Sequence, residues 1–294
     1  MKFIELSATT PSDDIADADA AIGLCAPKMM QVAKRLQWIQ WLGAGVEECV
    51  QQSLIRERQP LVTNMRRTGG ASMAEHVMGM MLVLRRQLNY FIAQQPRGHW
   101  DPDSDHYPQA VDLQGKTLLV VGLGGIGLEV AKRAYAFGMR VNATRASSSA
   151  RPDYVSYVGM PDELIKLARD ADFIVNCTPL TPQTTGLFEK EFFNTMKPTA
   201  YFINVGRGRS VVTPDLIAAL KARRIAGAGL DVTDPEPLPS SSSLWRMPKF
   251  VITPHVSSNS PMTDELRLAV LHENLRRYVA GGRMLSVVDI ERGY

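Results

Sequence analysis

The sequence predicts an α/β chain of two Rossmann-like domains, the larger built on a doubly wound parallel sheet. Three observations predict it. Leu118 to Gly138 reads LLVVGLGGIGLEVAKRAYAFG, an apolar run, a glycine turn and a helical pattern in succession. From there to about residue 253, short apolar runs alternate with helical ones, the rhythm of parallel strands joined by crossover helices. At 294 residues the chain is also long for one domain and comfortable for two.

The first element to justify is the strand Leu118–Val121. It is apolar without alternation, as a strand covered on both faces requires. Gly122, Gly124 and Gly127 follow at GxGxxG spacing. The first glycine permits the tight turn, the second lets backbone approach a pyrophosphate, and the third lets the helix sit close to the strand. Val130, Ala131, Ala134, Tyr135 and Phe137 share one side of the helix, and Gly138 is a natural stop. Free N–H groups and the dipole at the helix start favour phosphate. The turn therefore predicts a bound dinucleotide, without naming which one or what reaction it serves.

Strands are expected before this unit at Phe3–Leu6, Ala20–Cys25, Trp38–Leu42 and Leu61–Thr63. Helices are expected from Pro27 to Arg35 and from Val46 to Glu57, with the turn Gly43-Ala44-Gly45 between. Ser72 with Glu75 has the spacing of a capping box and opens a helix reaching Gln95. Its stripe of Met73, Val77, Met80, Met81, Leu84, Leu88 and Phe91 reads as core, with a subunit interface as the alternative. Pro96–Pro108 reads as a loop at a domain boundary. Beyond the glycine turn come strands at Met139–Thr144, Phe173–Cys177, Tyr201–Val205, Ala226–Val232 and Phe250–Thr253. Helices fall at Asp162–Arg169, Glu189–Met196 and Pro214–Arg223. A long helix, Asp264–Val279, leads to a tail, LSVVDIERGY, placed to return to the first domain. The expected division is 1–95 completed by 281–294, and 96–280 as the dinucleotide-binding domain.

Composition excludes several classes. Hydrophobic residues make up 45% and charged ones 21%, ordinary for a globular chain, and no apolar run approaches membrane-spanning length. The 33 basic and 30 acidic residues are intermixed, so no nucleic-acid stripe and no acidic tail emerges. The start lacks the order of a signal peptide, and no fixed-period repeat is found. Cys25, Cys49 and Cys177 are odd in number and form no CxxC. They predict neither a disulfide framework nor a metal site, and favour a reducing cytoplasm.

The cofactor is narrowed by the end of the second strand. An acidic residue about twenty positions beyond the glycines holds the ribose hydroxyls of NAD in this fold. Here the strand ends Asn142-Ala143-Thr144-Arg145-Ala146-Ser147, without an acid. Arg145 suits the extra phosphate of NADP, with Ser147 and Ser148 as donors, so NADPH is preferred and NAD remains open.

Three segments sit at strand ends, where open α/β sheets place their sites: NVGRGR (204–209), LDVTDPEP (230–237) and TPHVSS (253–258). They supply Arg207, Glu236 and His255. Together with GLGGIG, TPLTPQTTGLF, GAGLDVTDPEPLP, SLWRMPKFVITPH and the ending VVDIERGY, these segments resemble the D-isomer-specific 2-hydroxyacid dehydrogenases from about Trp38 to Tyr294. The resemblance implies a smaller, flavodoxin-like substrate domain beside the cofactor domain. It implies Arg207, Glu236 and His255 as the catalytic set, Asp231 against the nicotinamide amide, and the N–H groups of Ala44 and Gly45 against the substrate carboxylate. Cofactor contacts are expected at Gly122, Gly124, Gly125, Ile126, Gly127, Arg145, Ser147, Thr178, Pro179, Val205, Gly206 and Asp231. The pattern at Arg145 is similar to the NADPH-preferring glyoxylate/hydroxypyruvate reductases. A homodimer is implied, with loop 97–111 as its arm. The expected chemistry is reduction of a small 2-oxo acid, with His255 giving the proton, Glu236 favouring its charged form and Arg207 holding the acid. The alternative is a related nucleotide-sensing binding protein, similar to the family's corepressors, without turnover.

Two departures stand out. The segment before Ala20 is short for the family. The stretch Met65-Arg66-Arg67-Thr68 is unusually basic, and one of its arginines is a candidate contact for a second acidic group on the substrate.

Overall fold

The structure is a computed structural model that describes residue 4 and residues 15–102, 105, 111–147 and 150–294. The expected strand Phe3–Leu6 lies, apart from Ile4, outside the described residues, as do Ser148 and much of loop 97–111. The chain forms two compact units, Gly69–Asn259 and Met1–Thr68 with Ser260–Tyr294.

The larger unit holds a seven-stranded parallel sheet. Its strands are β4 (Thr117–Val121), β5 (Arg140–Thr144), β6 (Tyr157–Gly159), β7 (Phe173–Asn176), β8 (Tyr201–Asn204), β9 (Gly227–Leu230) and β10 (Phe250–Ile252). The order β10-β9-β8-β7-β4-β5-β6 makes β4 the first strand of a doubly wound sheet, with the switch point between β4 and β7. The absence of alternation in β4 now has its reason. Leu118 and Val120 enter one core, while Leu119 and Val121 enter the other. Phe173 and Val175 of β7 follow the first pair, and Ile174 the second. Each such aliphatic side chain contributes roughly 1.5–3 kcal/mol by leaving water. The first core also takes α4 (Gly70–Arg85) and α6 (Gly125–Ala136); the second takes α7 (Leu164–Asp170), α8 (Lys190–Thr195) and α9 (Thr213–Lys221). The short strand β6 was not legible, since Tyr157-Val158-Gly159 carries little hydrophobic signal.

The helix expected from Ser72 differs at both ends. It starts at Gly70 with Gly69 as N-cap and no side-chain cap. Glu75 instead pairs with Arg133 of α6 at 3.2 Å. The helix stops at Arg85, because Gln87 adopts φ 57°, and α5 (Leu88–Gln94) starts anew with no buried residue. Val77, Met80, Met81 and Leu84 are core, whereas Leu88 is 39% and Ile92 59% exposed.

The smaller unit has a three-stranded parallel sheet of β1 (Ala20–Ile22), β2 (Trp38–Gln40) and β3 (Leu61–Thr63). Helix α1 spans Pro27–Val32, and the single helix expected over Val46–Glu57 is two, α2 (Glu47–Val50) and α3 (Ser53–Arg58). The tail does return here: Val288 N donates to Val62 O at 2.8 Å, and Val288 and Ile290 join this unit's core. Helix α10 (Pro261–Val279) belongs to this unit as well. Its buried Asn274 donates to Gln40 Oε1 at 2.8 Å and accepts from Leu285 N at 2.7 Å. Gln40 Oε1 also accepts from Thr63 Oγ1, whose oxygen accepts from Trp38 Nε1. These polar ties, with the packing of α4 on α6, set the units at 68/69 and 259/260 instead of the expected 95/96 and 280/281.

The cysteine expectation is corrected. Cys25 and Cys49 form a disulfide, their Cα atoms 5.5 Å apart. The loop after β1 and helix α2 bring together thiols separated by 24 positions, which spacing alone does not reveal. The expectation of a reducing compartment loses that support. Among the described residues, no helix is long and apolar enough to cross a membrane.

Candidate active site

In the larger unit the glycine turn follows β4 at the switch point of the sheet. Gly122 has φ +94°, a conformation L side chains rarely adopt, and its N–H and that of Leu123 both donate to Thr144 O at the end of β5. A Cβ on Gly127 would run into Gly122 O and Val120, so the third glycine permits close helix–strand contact. At Gly124 a Cβ would meet nothing within 4 Å. The three positions thus divide into a turn, open space above an exposed backbone, and a close approach, which fits a pyrophosphate at the start of α6. Gly125 and Ile126 open that helix. Arg145 follows β5 with its backbone bonded to Gly159 O at 3.0 Å, and its side chain has no partner among the described residues. Ser147 beyond it is exposed.

The ends of β7 and β8 carry residues that sequence reasoning missed. Asn176 and Asn204 are fully buried and joined at 2.9 Å. Asn176 Oδ1 accepts from Thr178 N and Thr178 Oγ1, and so shapes the turn that continues into Pro179. Asn204 Oδ1 accepts from Gly206 N at 3.0 Å, while its Nδ2 donates to Arg207 O at 2.9 Å. Ser210 Oγ donates to the same carbonyl at 2.6 Å. Val205 is buried, and Gly206 has no room for a side chain: a Cβ there would lie 2.8 Å from Asn176 Nδ2 and Thr178 O. The backbone of Arg207 is therefore held by a closed polar network, and its Nη1 donates to Gly206 O at 2.7 Å. The only signal of this in the sequence was an Asn ending two apolar strands.

His255 and Glu236 come from separate loops, after β10 and β9. His255 Nδ1 lies 2.6 Å from Glu236 Oε1, with the side chains 48% and 40% exposed. His255 has φ 55°, and its N–H donates to Asp231 O at 2.8 Å. A non-glycine residue in that region costs on the order of 1–3 kcal/mol and persists only when its surroundings hold it.

Asp231 lies one residue beyond β9 and is 2% exposed. Its Oδ1 accepts from Thr253 Oγ1 at 2.6 Å and Val256 N at 3.0 Å, and Oδ2 accepts from Ser257 N at 3.1 Å. Burial pushes its carboxyl up, but Ser257, Thr253 and the two backbone N–H groups outweigh burial and hold it below the usual range. The Ser257 hydroxyl stands close enough to contribute, yet it is buried and makes no well-formed hydrogen bond. A buried carboxylate, which accepts, beside a hydroxyl, which donates and accepts, fits a carboxamide. His76 of α4 completes the cluster, with Nε2 2.9 Å from Thr253 Oγ1 and 3.9 Å from Asp231 Oδ1. Since Thr253 gives its proton to Asp231, its oxygen accepts from His76.

In the smaller unit, Ala44 and Gly45 form the turn after β2. Their N–H groups have no acceptor among the described residues.

A glycine turn of this build at the switch point of a doubly wound sheet makes the larger unit a dinucleotide-binding Rossmann domain. The family model of the D-isomer specific 2-hydroxyacid dehydrogenase, NAD binding domain, matches residues 78–257, and the chain belongs to that family. It is an NAD(P)-dependent oxidoreductase acting on 2-hydroxy or 2-oxo acids. It is 30% identical over 288 residues to the glyoxylate/hydroxypyruvate reductase A of Photorhabdus laumondii, covering 96% of this chain and 89% of that one. Among solved structures it is similar to a D-isomer specific 2-hydroxyacid dehydrogenase family protein from Aeromonas salmonicida, with TM-score 0.82 and 32% identity over 94% of this chain and 86% of that one. It is also similar to an NADPH-dependent glyoxylate/hydroxypyruvate reductase from Sinorhizobium meliloti solved with NADP and sulfate, with TM-score 0.81 and 28% identity over 94% and 86% of the two chains.

Proposed function

We propose that the protein reduces a small 2-oxo acid of the glyoxylate or hydroxypyruvate kind to the D-2-hydroxy acid, with NADPH preferred over NADH. The observation that carries this reading is the His255–Glu236 contact of 2.6 Å at the carboxyl ends of the parallel strands. When bound, the dinucleotide supplies the hydride. Glu236 accepts from Nδ1 of His255, which orients the ring and leaves Nε2 to deliver a proton to the substrate oxygen. Arg207 brings a planar fork and a fixed charge, suited to gripping a carboxylate and polarising the adjacent carbonyl. In the smaller unit, the N–H groups of Ala44 and Gly45 are suited to donate to a substrate carboxylate. Asp231 and Ser257 orient the nicotinamide through its carboxamide. Arg145, which makes no ion pair among the described residues, supports the choice of NADPH. Glyoxylate/hydroxypyruvate reductase relatives at similar identity support the substrate class. Exposed Leu88, Ile92 and Trp100, the last 90% accessible, support a dimer through this region.

The test is oxidation of NADPH and of NADH, followed at 340 nm, with a panel of 2-oxo acids. Turnover is expected with glyoxylate and hydroxypyruvate. Arg145→Asp is expected to reverse the cofactor preference. Absence of turnover with every acid overturns the reading, and an unchanged preference in the variant overturns the role of Arg145. Sedimentation of the purified protein tests the dimer.

A further inference from the structure

We propose that Arg66 and Arg67, together with the N–H groups of Ala44 and Gly45, form a site for an acid bearing two anionic groups, so that the preferred 2-oxo acid carries a second carboxylate or a phosphate. This rests on the reading that the 43–45 turn meets the substrate carboxylate.

All the residues concerned lie in the smaller unit. The segment that leaves β3 is stitched to the turn. Met65 N donates to Gly43 O at 3.0 Å, and Asn64 Nδ2 donates to Ala44 O at 2.7 Å. These bonds use two of the turn's acceptors and leave its N–H donors at Ala44 and Gly45 without a partner among the described residues. Asn64 Oδ1 then accepts from Arg66 N at 3.2 Å, and Thr68 Oγ1 donates to Met65 O at 2.7 Å, so the arginines sit on a braced loop.

Most other arginines of this unit are held by a partner, with Arg283 the exception among the described residues. Arg35 is paired with Asp19, Arg58 donates to the carbonyls of Met30, Ala33 and Lys34, and Arg276 and Arg277 share Glu273. Arg66 and Arg67 are exposed, and neither guanidinium has an acceptor among the described residues. They are close enough to repel: partial desolvation, and then the charge of Arg67, lower Arg66 from its ordinary value. Arg67 also holds φ 71°, a left-handed conformation uncommon for a long side chain. A merely solvated pair has no need of a braced loop, a left-handed backbone and mutual repulsion. An anion placed against them relieves the repulsion, and guanidinium forks match both carboxylate and phosphate. The turn offers further donors and no carboxylate of its own, so the charge balance calls for a ligand with more than one negative group.

The experiment compares kcat/KM for glyoxylate and pyruvate with that for oxaloacetate, 2-oxoglutarate and 3-phosphohydroxypyruvate. It uses the wild-type chain, an Arg66→Ala/Arg67→Ala variant and an Arg66→Lys/Arg67→Lys variant, each checked by circular dichroism. In the wild type, at least one dianionic acid is expected to exceed glyoxylate. The alanine variant is expected to lose about tenfold or more of that ratio, the worth of one charge-assisted hydrogen bond, and the lysine variant less. The better of the carboxylate and phosphate arms names the second group. Calorimetric titration with malonate against acetate supplies a readout free of turnover, and malonate is expected to bind more tightly in the wild type only. A ratio unchanged by the alanine substitutions, with malonate and acetate bound alike, overturns the proposal. If no acid is turned over, the reaction assigned above fails and the malonate titration still decides this site.

Discussion

Removing the Asn204 side chain tests whether the polar network beneath Arg207 sets the substrate-binding geometry. Asn204 is fully buried and makes three hydrogen bonds, with Arg207 O, Asn176 Nδ2 and Gly206 N. In Asn204→Ala, Arg207 O keeps Ser210 Oγ at 2.6 Å, and Asn176 Nδ2 keeps the same hydroxyl at 2.8 Å. Gly206 N is left with nothing. One orphaned buried donor costs about 1–3 kcal/mol, and two hydrogen bonds with a surviving partner add about 1 kcal/mol together. The expected loss is therefore about 2–4 kcal/mol, large against a typical 5–15 kcal/mol yet compatible with folding. Ser210→Ala alone should cost less, since Asn204 still holds Arg207 O. In the double variant Asn176 Nδ2 loses both acceptors and Arg207 O keeps only the Ser210 backbone N–H at 3.3 Å, so the costs should exceed their sum by about 1 kcal/mol. Urea unfolding of the four proteins measures this. The KM for the 2-oxo acid should rise in Asn204→Ala by a larger factor than the KM for NADPH. Additivity within about 0.5 kcal/mol, or an unmoved substrate KM, refutes the idea that these side chains act through Arg207.

Further outcomes follow from the same geometry. His255→Gln should lower kcat for 2-oxo acid reduction by about 10²–10⁴, and Glu236→Gln by less, because a neutral acceptor can still orient the ring; stopped-flow traces of NADPH decay measure both. Opening the Cys25–Cys49 disulfide, which closes a loop 24 positions long, should destabilise the smaller unit by about 3 kcal/mol, read as a lower denaturation midpoint in dithiothreitol. A thiol reagent should find almost nothing in the native protein and one group after denaturation, because Cys177 is buried and its thiol is pushed up to about 12. Asp231 is held below the ordinary carboxylate range, so its contribution to stability is complete above about pH 4, the value of an unfolded aspartate, and fades as pH falls through its folded value. Between pH 5 and 3 the urea midpoint of the wild type should therefore drop more steeply than that of Asp231→Asn.

The strands covered on both faces were legible because such burial imposes an unbroken apolar run, and β4 carries the clearest one. The glycine turn was legible because Gly122 requires a left-handed backbone and Gly127 forbids a side chain, while Gly124 keeps its backbone open between them. Glu236 and His255 were legible only through a resemblance, for nothing local in either loop marks them as partners 2.6 Å apart. Elements ruled by contacts failed in predictable ways. The expected cap at Ser72 lost to Gly69, since Glu75 found a better partner in Arg133 across two helices.

What the sequence determined by itself was therefore whatever is encoded by periodicity and by the steric demands of single residues: the doubly wound sheet, the turn at Gly122–Gly127, and the missing acid after β5. Only the tertiary structure decided the disulfide between Cys25 and Cys49, the Asn176–Asn204–Ser210 brace under Arg207, and the His76–Thr253–Asp231 chain. Those depend on distances between residues far apart in order, and a distance across the fold leaves no mark on the local pattern of side chains.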